Sequence, residues 1–266
     1  MSVLIVIPAR YASSRYPGKP LVALRGARGE AKTLIRRSWE AAVSVAGIDR
    51  VVVATDDERI YNASKDFGAD VIMTSEECGN GTERCADALS RLGQPYDIVV
   101  NLQGDAPLTP HWFVEDLVSA MQENPEIQVA TPVLRCDVEA LAGFREDRRN
   151  DRVGGTTAVF DGKGRALYFS KEVIPFTGRD FGANEQVPVF HHVGVYAYRP
   201  AALDAYLGWK AGPLETFEGL EQLRFMENGW PVQCVEVDGK GRAFWELNNP
   251  EDVPRIERKL AEMGVA

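Results

Sequence analysis

The run Asp97-Ile-Val-Val-Asn101 is apolar without alternation, and a strand of that kind is buried on both faces. Such a strand needs helices above and below it, which points to a parallel α/β sheet. The run continues into Asn101-Leu-Gln-Gly-Asp-Ala-Pro-Leu108, whose Gly-Asp-x-Pro turn presents one carboxylate, Asp105, at the strand's carboxyl end. Open α/β sheets bind their ligands at that edge. A carboxylate there can hold Mg²⁺ against a nucleotide's phosphates. An ordinary turn accounts for the same Asp through bonding to its own backbone, so a second feature has to decide.

That feature opens the chain. Val3-Leu-Ile-Val-Ile7 reads as a central strand of β-branched type. It leads into Pro8-Ala-Arg10-Tyr-Ala-Ser-Ser-Arg15-Tyr-Pro-Gly18-Lys19-Pro20. Small residues and turns let backbone N–H groups point inward, while Arg10, Arg15 and Lys19 can converge on one polyanion. A triphosphate needs both, because amides cradle its oxygens and fixed cations neutralise charge that grows during transfer. The loop is neither a Walker sequence nor G-x-G-x-x-G, which argues against a nicotinamide-dependent dehydrogenase.

Between these motifs, strand and helix patterns alternate, so a mostly parallel sheet covered on both faces is expected. Thr33 to Val45 reads as an amphipathic helix with Leu34, Ile35, Ala41, Ala42 and Val45 inward and Arg36, Arg37 and Glu40 outward. A strand over Asp49–Ala54, a helix over Asp57–Phe67 and a strand near Asp70–Met73 follow. Asn80 caps a helix running to about Leu92, with Glu83 placed for a capping box. A further helix spans Pro110 to about Asn124. Glu146 to Arg152 is a mixed-charge run, read as a solvated loop. Thr156–Phe160, Ala166–Phe169 and Val189–Tyr198 suggest an antiparallel segment. A helix over Glu215–Glu227, a strand over Val232–Val237 and a last helix after Pro250 return to α/β form. No repeat or low-complexity linker breaks residues 1–266, read as one unit.

A formal charge of −9 argues against a nucleic-acid partner, although a locally basic pocket can exist. No apolar run approaches the ~18 residues that span a bilayer, and no basic region precedes the first apolar stretch as a secretory signal requires. Cys78, Cys85, Cys136 and Cys234 form no CxxC pair and lack zinc spacing. A reduced, cytoplasmic chain without stable membrane association is expected.

At this point the residues carry a family resemblance. Ile7 to Arg15 with Pro17-Gly-Lys-Pro-Leu21 resembles the nucleotide loop of the 3-deoxy-manno-octulosonate (Kdo) cytidylyltransferases. Gly81-Thr-Glu-Arg84, Val100 to Pro107, Ala166-Leu-Tyr-Phe-Ser170, His192 to Arg199 and Leu220-Glu-Gln-Leu-Arg224 are similar to the same family in the same order, over nearly the whole chain. The resemblance implies a Rossmann-like nucleotide-diphospho-sugar transferase fold, with a mostly parallel central sheet and a small antiparallel substrate and dimerisation segment. Residues 1–135 would be mainly the nucleotide half, and 151–230 mainly the sugar-acid and dimerisation part of a homodimer. The implied activity is transfer of CMP from CTP to the anomeric hydroxyl of a 3-deoxy-2-ulosonic acid such as Kdo, for lipopolysaccharide or capsule synthesis, with Mg²⁺ as cofactor.

The implied nucleotide contacts are Ala9, Arg10, Ser14, Arg15, Lys19, Arg84 and Gln103. Asp105, Lys19 and Arg10 would act on the reacting phosphates. Gln103, Tyr168, Ser170, His192, Glu221 and Gln222 would hold the sugar acid. A metal pair His191–His192 is disfavoured, because adjacent strand residues face opposite ways. The family's second metal aspartate is matched here by Asn248, in Glu246-Leu-Asn-Asn-Pro-Glu-Asp252, so Asp105 and Asn248 are the implied metal ligands. Asn248 also suits a helix cap before Pro250. A family lysine is matched by Thr157 and a family arginine by Lys171. These departures leave open a cytidylyltransferase for another acid sugar, amino-substituted or sialic-type, and a CTP-binding homologue without turnover. The tryptophans, Trp39, Trp112, Trp209, Trp230 and Trp245, read as core or interface residues.

Overall fold

The computed structural model describes residues 1–12, 16–153, 155–241, 246–247 and 249–265. The first apolar run forms β1 (Val3–Ala9), and the β2–β3 hairpin (Ala23–Arg25, Ala31–Thr33) precedes helix α1 (Leu34–Val43). Then come β4 (Arg50–Thr55), α2 (Glu58–Asp66), β5 (Asp70–Met73), α3 (Gly81–Leu92), β6 (Ile98–Leu102), α4 (His111–Glu123) and β7 (Val129–Arg135). This stretch has the expected element order. Thr33, Asp57 and Asn80 cap their helices by accepting from Arg36, Arg59 and Glu83 N–H groups. The return arm of the Asn80 box is shifted by one residue, with Glu83 accepting from Gly79 N at 2.7 Å.

Beyond β7 lie α5 (Val138–Arg149), β8 (Thr156–Phe160), β9 (Ala166–Ser170), β10 (Phe190–His192) and β11 (Val195–Tyr198). They are followed by α6 (Pro200–Leu207), α7 (Pro213–Glu218), α8 (Leu223–Glu227), β12 (Gln233–Val237) and α9 (Val253–Glu262). The described strands, apart from the β2–β3 hairpin, join one sheet in the order β5-β4-β1-β6-β11-β7-β10-β8-β9, with β12 also paired to β7. The pairings make β1, β4, β5, β6, β7, β8 and β12 point one way and β9, β10 and β11 the other. The sheet is therefore mostly parallel, with its antiparallel part at one side.

Both faces are buried. Val3, Ile5 and Ile7 pack with Ile35, Ile60 and Phe113 from α1, α2 and α4, while Leu4 and Val6 pack with Cys85, Leu203 and Phe225 from α3, α6 and α8. A third cluster joins Leu24, Leu34, Leu108 and Leu247 to Ile256 and Leu260 of α9.

Three local expectations change. The charged run from Glu146 is helical as far as Arg149, because Asp137 caps α5 through Ala140 N (2.7 Å) and Leu141 with Phe144 docks against Val187 and Val189. The helix expected over Glu215–Glu227 is two short ones, since Gly219 ends α7 in the left-handed region (φ 61°). Arg37 is buried, not outward, with its guanidinium donating to Leu24 O at 2.7 Å under the β2–β3 hairpin. The four cysteines are free, and among the described residues no helix is long and apolar enough to cross a membrane.

Candidate active site

The loops after β1 and β6 meet at the carboxyl edge of the sheet. A Cβ on Gly104 would lie 2.8 Å from the Pro8 carbonyl oxygen, so only glycine lets the two backbones pass. Ser38 Oγ donates to Gly104 O at 2.9 Å and fixes the turn from the other side. In the first loop, Gly18 N donates to Tyr11 O (2.9 Å) and closes it, with φ 70° at Gly18 and the Tyr11 ring filling the place of a side chain. The Arg59 guanidinium lies over that ring at 3.3 Å from its centroid.

This convergence places Lys19 Nζ 2.6 Å from Asp105 Oδ2, both partly shielded. Ala9 is buried at the end of β1, and Arg10 follows it, exposed at the sheet edge. Ser14, Arg15, Asn248 and Trp245 lie outside the described residues. The Asp105 carboxylate is a hard oxygen donor of the kind Mg²⁺ takes, and a metal there would compete with Lys19 for it. Among the described residues no three His, Cys, Asp or Glu side chains cluster as a metal cage. Leu247 N donates to Asp105 O at 2.9 Å, so the chain next to Asn248 runs beside the turn. Asn249 forms a capping box with Asp252 ahead of α9.

Arg84 is buried and committed. Its Nη2 donates to Asp56 Oδ2 (2.7 Å) and its Nη1 to Thr74 Oγ1 (2.6 Å), which joins α3 to the ends of β4 and β5. Here it braces the sheet edge beside the loop after β1.

The second cluster stands on the other face of β6. Gln103 Nε2 donates to Glu221 Oε1 (3.3 Å), and Thr82 N donates to Glu221 Oε2 (2.9 Å). A Cβ on Gly81 would lie 2.9 Å from Asn101 Nδ2, 3.1 Å from Gln103 Nε2 and 3.4 Å from Glu221 Oε1. Glycine there lets the three side chains close over the start of α3. Burial pushes the Glu221 carboxyl pKa upward. Gln222 Oε1 accepts from Tyr196 OH at 2.9 Å, and its Nε2 is buried without a partner. Both amide atoms of Asn101 are likewise buried and unpaired. Hydroxyls of a polar ligand could satisfy such groups.

His192 forms a wall of this region rather than a free donor. Thr131 Oγ1 donates to Val195 O (2.8 Å), so His192 Nε2 donates to Thr131 (3.0 Å) and Nδ1 accepts from Thr156 Oγ1 (3.0 Å). Burial drives its pKa down to about 3, leaving the ring neutral. His191 faces the other way, edge-on to Phe144. Tyr168 and Ser170 share a face of β9 and turn to Glu218 at the end of α7, where Ser170 Oγ donates at 2.7 Å.

Sequence reasoning gave no role to Asn101, Asp56, Glu218 or Glu246. Asn101 had a signal, being an amide inside an otherwise apolar strand. Glu246 had none. Its Oε1 would lie 3.2 Å from a Cβ on Gly194, and Gln103 Cγ 4.0 Å from the same point, so a further carboxylate stands beside Gln103.

A nucleotide-type edge and a polar pocket on one sheet invite comparison with known proteins. The family model described as "Cytidylyltransferase" matches residues 4–237. The chain belongs to the cytidylyltransferase family. Among its relatives is a protein of Maricaulis maris named 3-deoxy-manno-octulosonate cytidylyltransferase, 44% identical over 99% of both chains. A mitochondrial protein of the same name from Arabidopsis thaliana is 39% identical over 99% of this chain and 85% of its own length. A solved CMP:2-keto-3-deoxy-manno-octonic acid synthetase in complex with CTP superposes with a TM-score of 0.83 at 33% identity, covering 99% of this cytidylyltransferase and 100% of that chain.

Proposed function

We infer that this cytidylyltransferase transfers CMP from CTP to the anomeric hydroxyl of Kdo and releases pyrophosphate. The observation that carries the reading is likeness along the full chain, 44% identity over 99% of both sequences, to a protein of that named activity. The sugar hydroxyl attacks the α-phosphorus, the new P–O bond forms, and the bond to the β-phosphate oxygen breaks. No residue is needed as a covalent nucleophile, so positioning and charge carry the rate.

In this reading Ala9, Arg10, Ser14, Arg15 and Lys19 line the triphosphate, and Arg10 and Lys19 offset its growing charge. Arg84 holds the edge of the nucleotide site. Gln103, Glu221 and Gln222 receive the sugar hydroxyls, with His192, Tyr168 and Ser170 shaping the wall. Mg²⁺ would be held by Asp105, with Asn248 offering an amide oxygen, and when bound it neutralises phosphate charge. Exposed Leu167, Phe176 and Phe217, all within 151–230, support a homodimer formed through that part. The cytoplasm is the proposed compartment.

A second reading, another acid sugar as acceptor, is favoured by Thr157. Its hydroxyl donates to Glu172 O (2.7 Å) and accepts from Ile174 N (3.1 Å), so it serves the fold and brings no charge to the pocket. The test is pyrophosphate release from CTP and Mg²⁺ with a panel of sugar acids, with product masses read directly. Rapid release with Kdo and a CMP-Kdo mass are expected. Release only with an amino-substituted or sialic-type acid would replace Kdo by that acid.

A further inference from the structure

Glu221 and Gln222 do not sit on a regular element. They lie in the connection between α7 and α8, just after the left-handed Gly219, in a turn closed by Leu223 N to Leu220 O (3.1 Å) and Arg224 N to Glu221 O (3.3 Å). Beyond the direct bonds from Gln103, Thr82 and Tyr196, a buried polar cluster centred on Arg224 holds this connection. Its Nε and Nη2 donate to both oxygens of Glu215 on α7 (2.6 and 2.7 Å). Its Nη1 donates to Glu83 Oε1 on α3 (2.9 Å), and its guanidinium lies over the Tyr206 ring of α6 at 4.1 Å from the centroid. The Tyr206 hydroxyl donates to the Glu221 carbonyl (3.2 Å) and accepts from Asn80, the cap of α3 (2.9 Å).

The cluster closes a ring around the connection. From Glu221 the carbonyl is held by Tyr206, while the carboxylate is held by Thr82 N, one residue before Glu83. A buried ion pair is a poor source of stability, since apolar residues of similar volume often replace one without loss. Its directional bonds instead restrict the groups to one arrangement. We propose that Arg224 is a positioning residue for the sugar-acid pocket, acting through Tyr206 and Glu83 to set the direction of Glu221 and Gln222. This rests on the assignment of Glu221 to the sugar acid.

The experiment compares Arg224→Lys, Tyr206→Phe and Glu221→Gln by steady-state kinetics against CTP and Kdo separately, alongside thermal unfolding. Tyr206→Phe keeps the ring under Arg224 and removes only the hydroxyl that holds the Glu221 carbonyl, so it is expected to fold. The expected result is a rise in KM for Kdo of about tenfold or more in all three variants, with KM for CTP unchanged, since small misplacements at a site carry such penalties. If Glu221→Gln raises KM for Kdo but Tyr206→Phe and Arg224→Lys lower only the unfolding temperature, Arg224 is merely structural and the proposal falls. If Glu221→Gln leaves KM for Kdo unchanged, the pocket assignment itself fails and the proposal falls with it.

Discussion

The ammonium of Lys19 lies 2.6 Å from Asp105 Oδ2, joining the loop after β1 to the turn after β6 across 86 positions of sequence. In the proposed function, this is where the triphosphate and its cation are received. Lys19→Met is expected to weaken CTP binding by about tenfold or more, the loss of one charge-assisted bond. Because the same change frees Asp105, Mn²⁺ binding to the nucleotide-free chain should tighten. Calorimetric titration reads both, and weaker Mn²⁺ binding would show that the two residues do not compete.

Asp105→Asn keeps the turn's shape and deletes its charge. Turnover should fall about a hundredfold, the scale seen when one group aimed at developing charge is removed. Near-normal kcat at low Mg²⁺ would remove Asp105 from the chemistry. In the same titration Asn248→Asp should lower the Mg²⁺ concentration giving half-maximal rate.

Gly104 and Gly81 predict opposite outcomes for the same substitution. At Gly104 the added methyl meets the Pro8 carbonyl oxygen at 2.8 Å, a backbone atom that cannot step aside. Gly104→Ala should cost about 1–3 kcal/mol of stability and abolish thermal stabilisation by CTP. At Gly81 the nearest atoms are the ends of the Asn101, Gln103 and Glu221 side chains. Gly81→Ala should leave the melting temperature nearly unchanged and raise KM for the sugar acid about tenfold. Differential scanning fluorimetry with initial-rate kinetics separates the two.

Burial pushes the pKa of His191 down to about 4 and that of His192 to about 3. Both lie below the value of an unfolded histidine, about 6.5. As pH falls below that value the unfolded chain takes up protons that the folded chain refuses, so folded stability decreases down to about pH 3. The slope is at most ~1.4 kcal/mol per pH unit for each histidine. Urea unfolding at pH 7 and pH 5 should show this loss, and His192→Gln should remove about half of it. An unchanged pH slope in the variant would mean that His192 is protonated when folded.

The sequence by itself determined the central strands, most of the helices between them and the edge where they meet. Val3–Ile7 and Asp97–Asn101 could be read as central strands because burial on both faces needs unbroken apolar runs, and the caps at Thr33, Asp57 and Asn80 act within one turn. Asp105 was legible for the same reason, as its turn follows directly from its strand. Only the tertiary structure decided what the buried polar groups do. Arg84 goes to Asp56, Arg37 to the Leu24 carbonyl, His192 to two threonines and Arg224 to Glu215 and Glu83. A long polar side chain can reach many partners, and burial makes the choice binding because an unmatched charge inside the protein costs several kcal/mol. Nearly all of those partners come from other elements, so the spacing of residues along the chain carries no record of them.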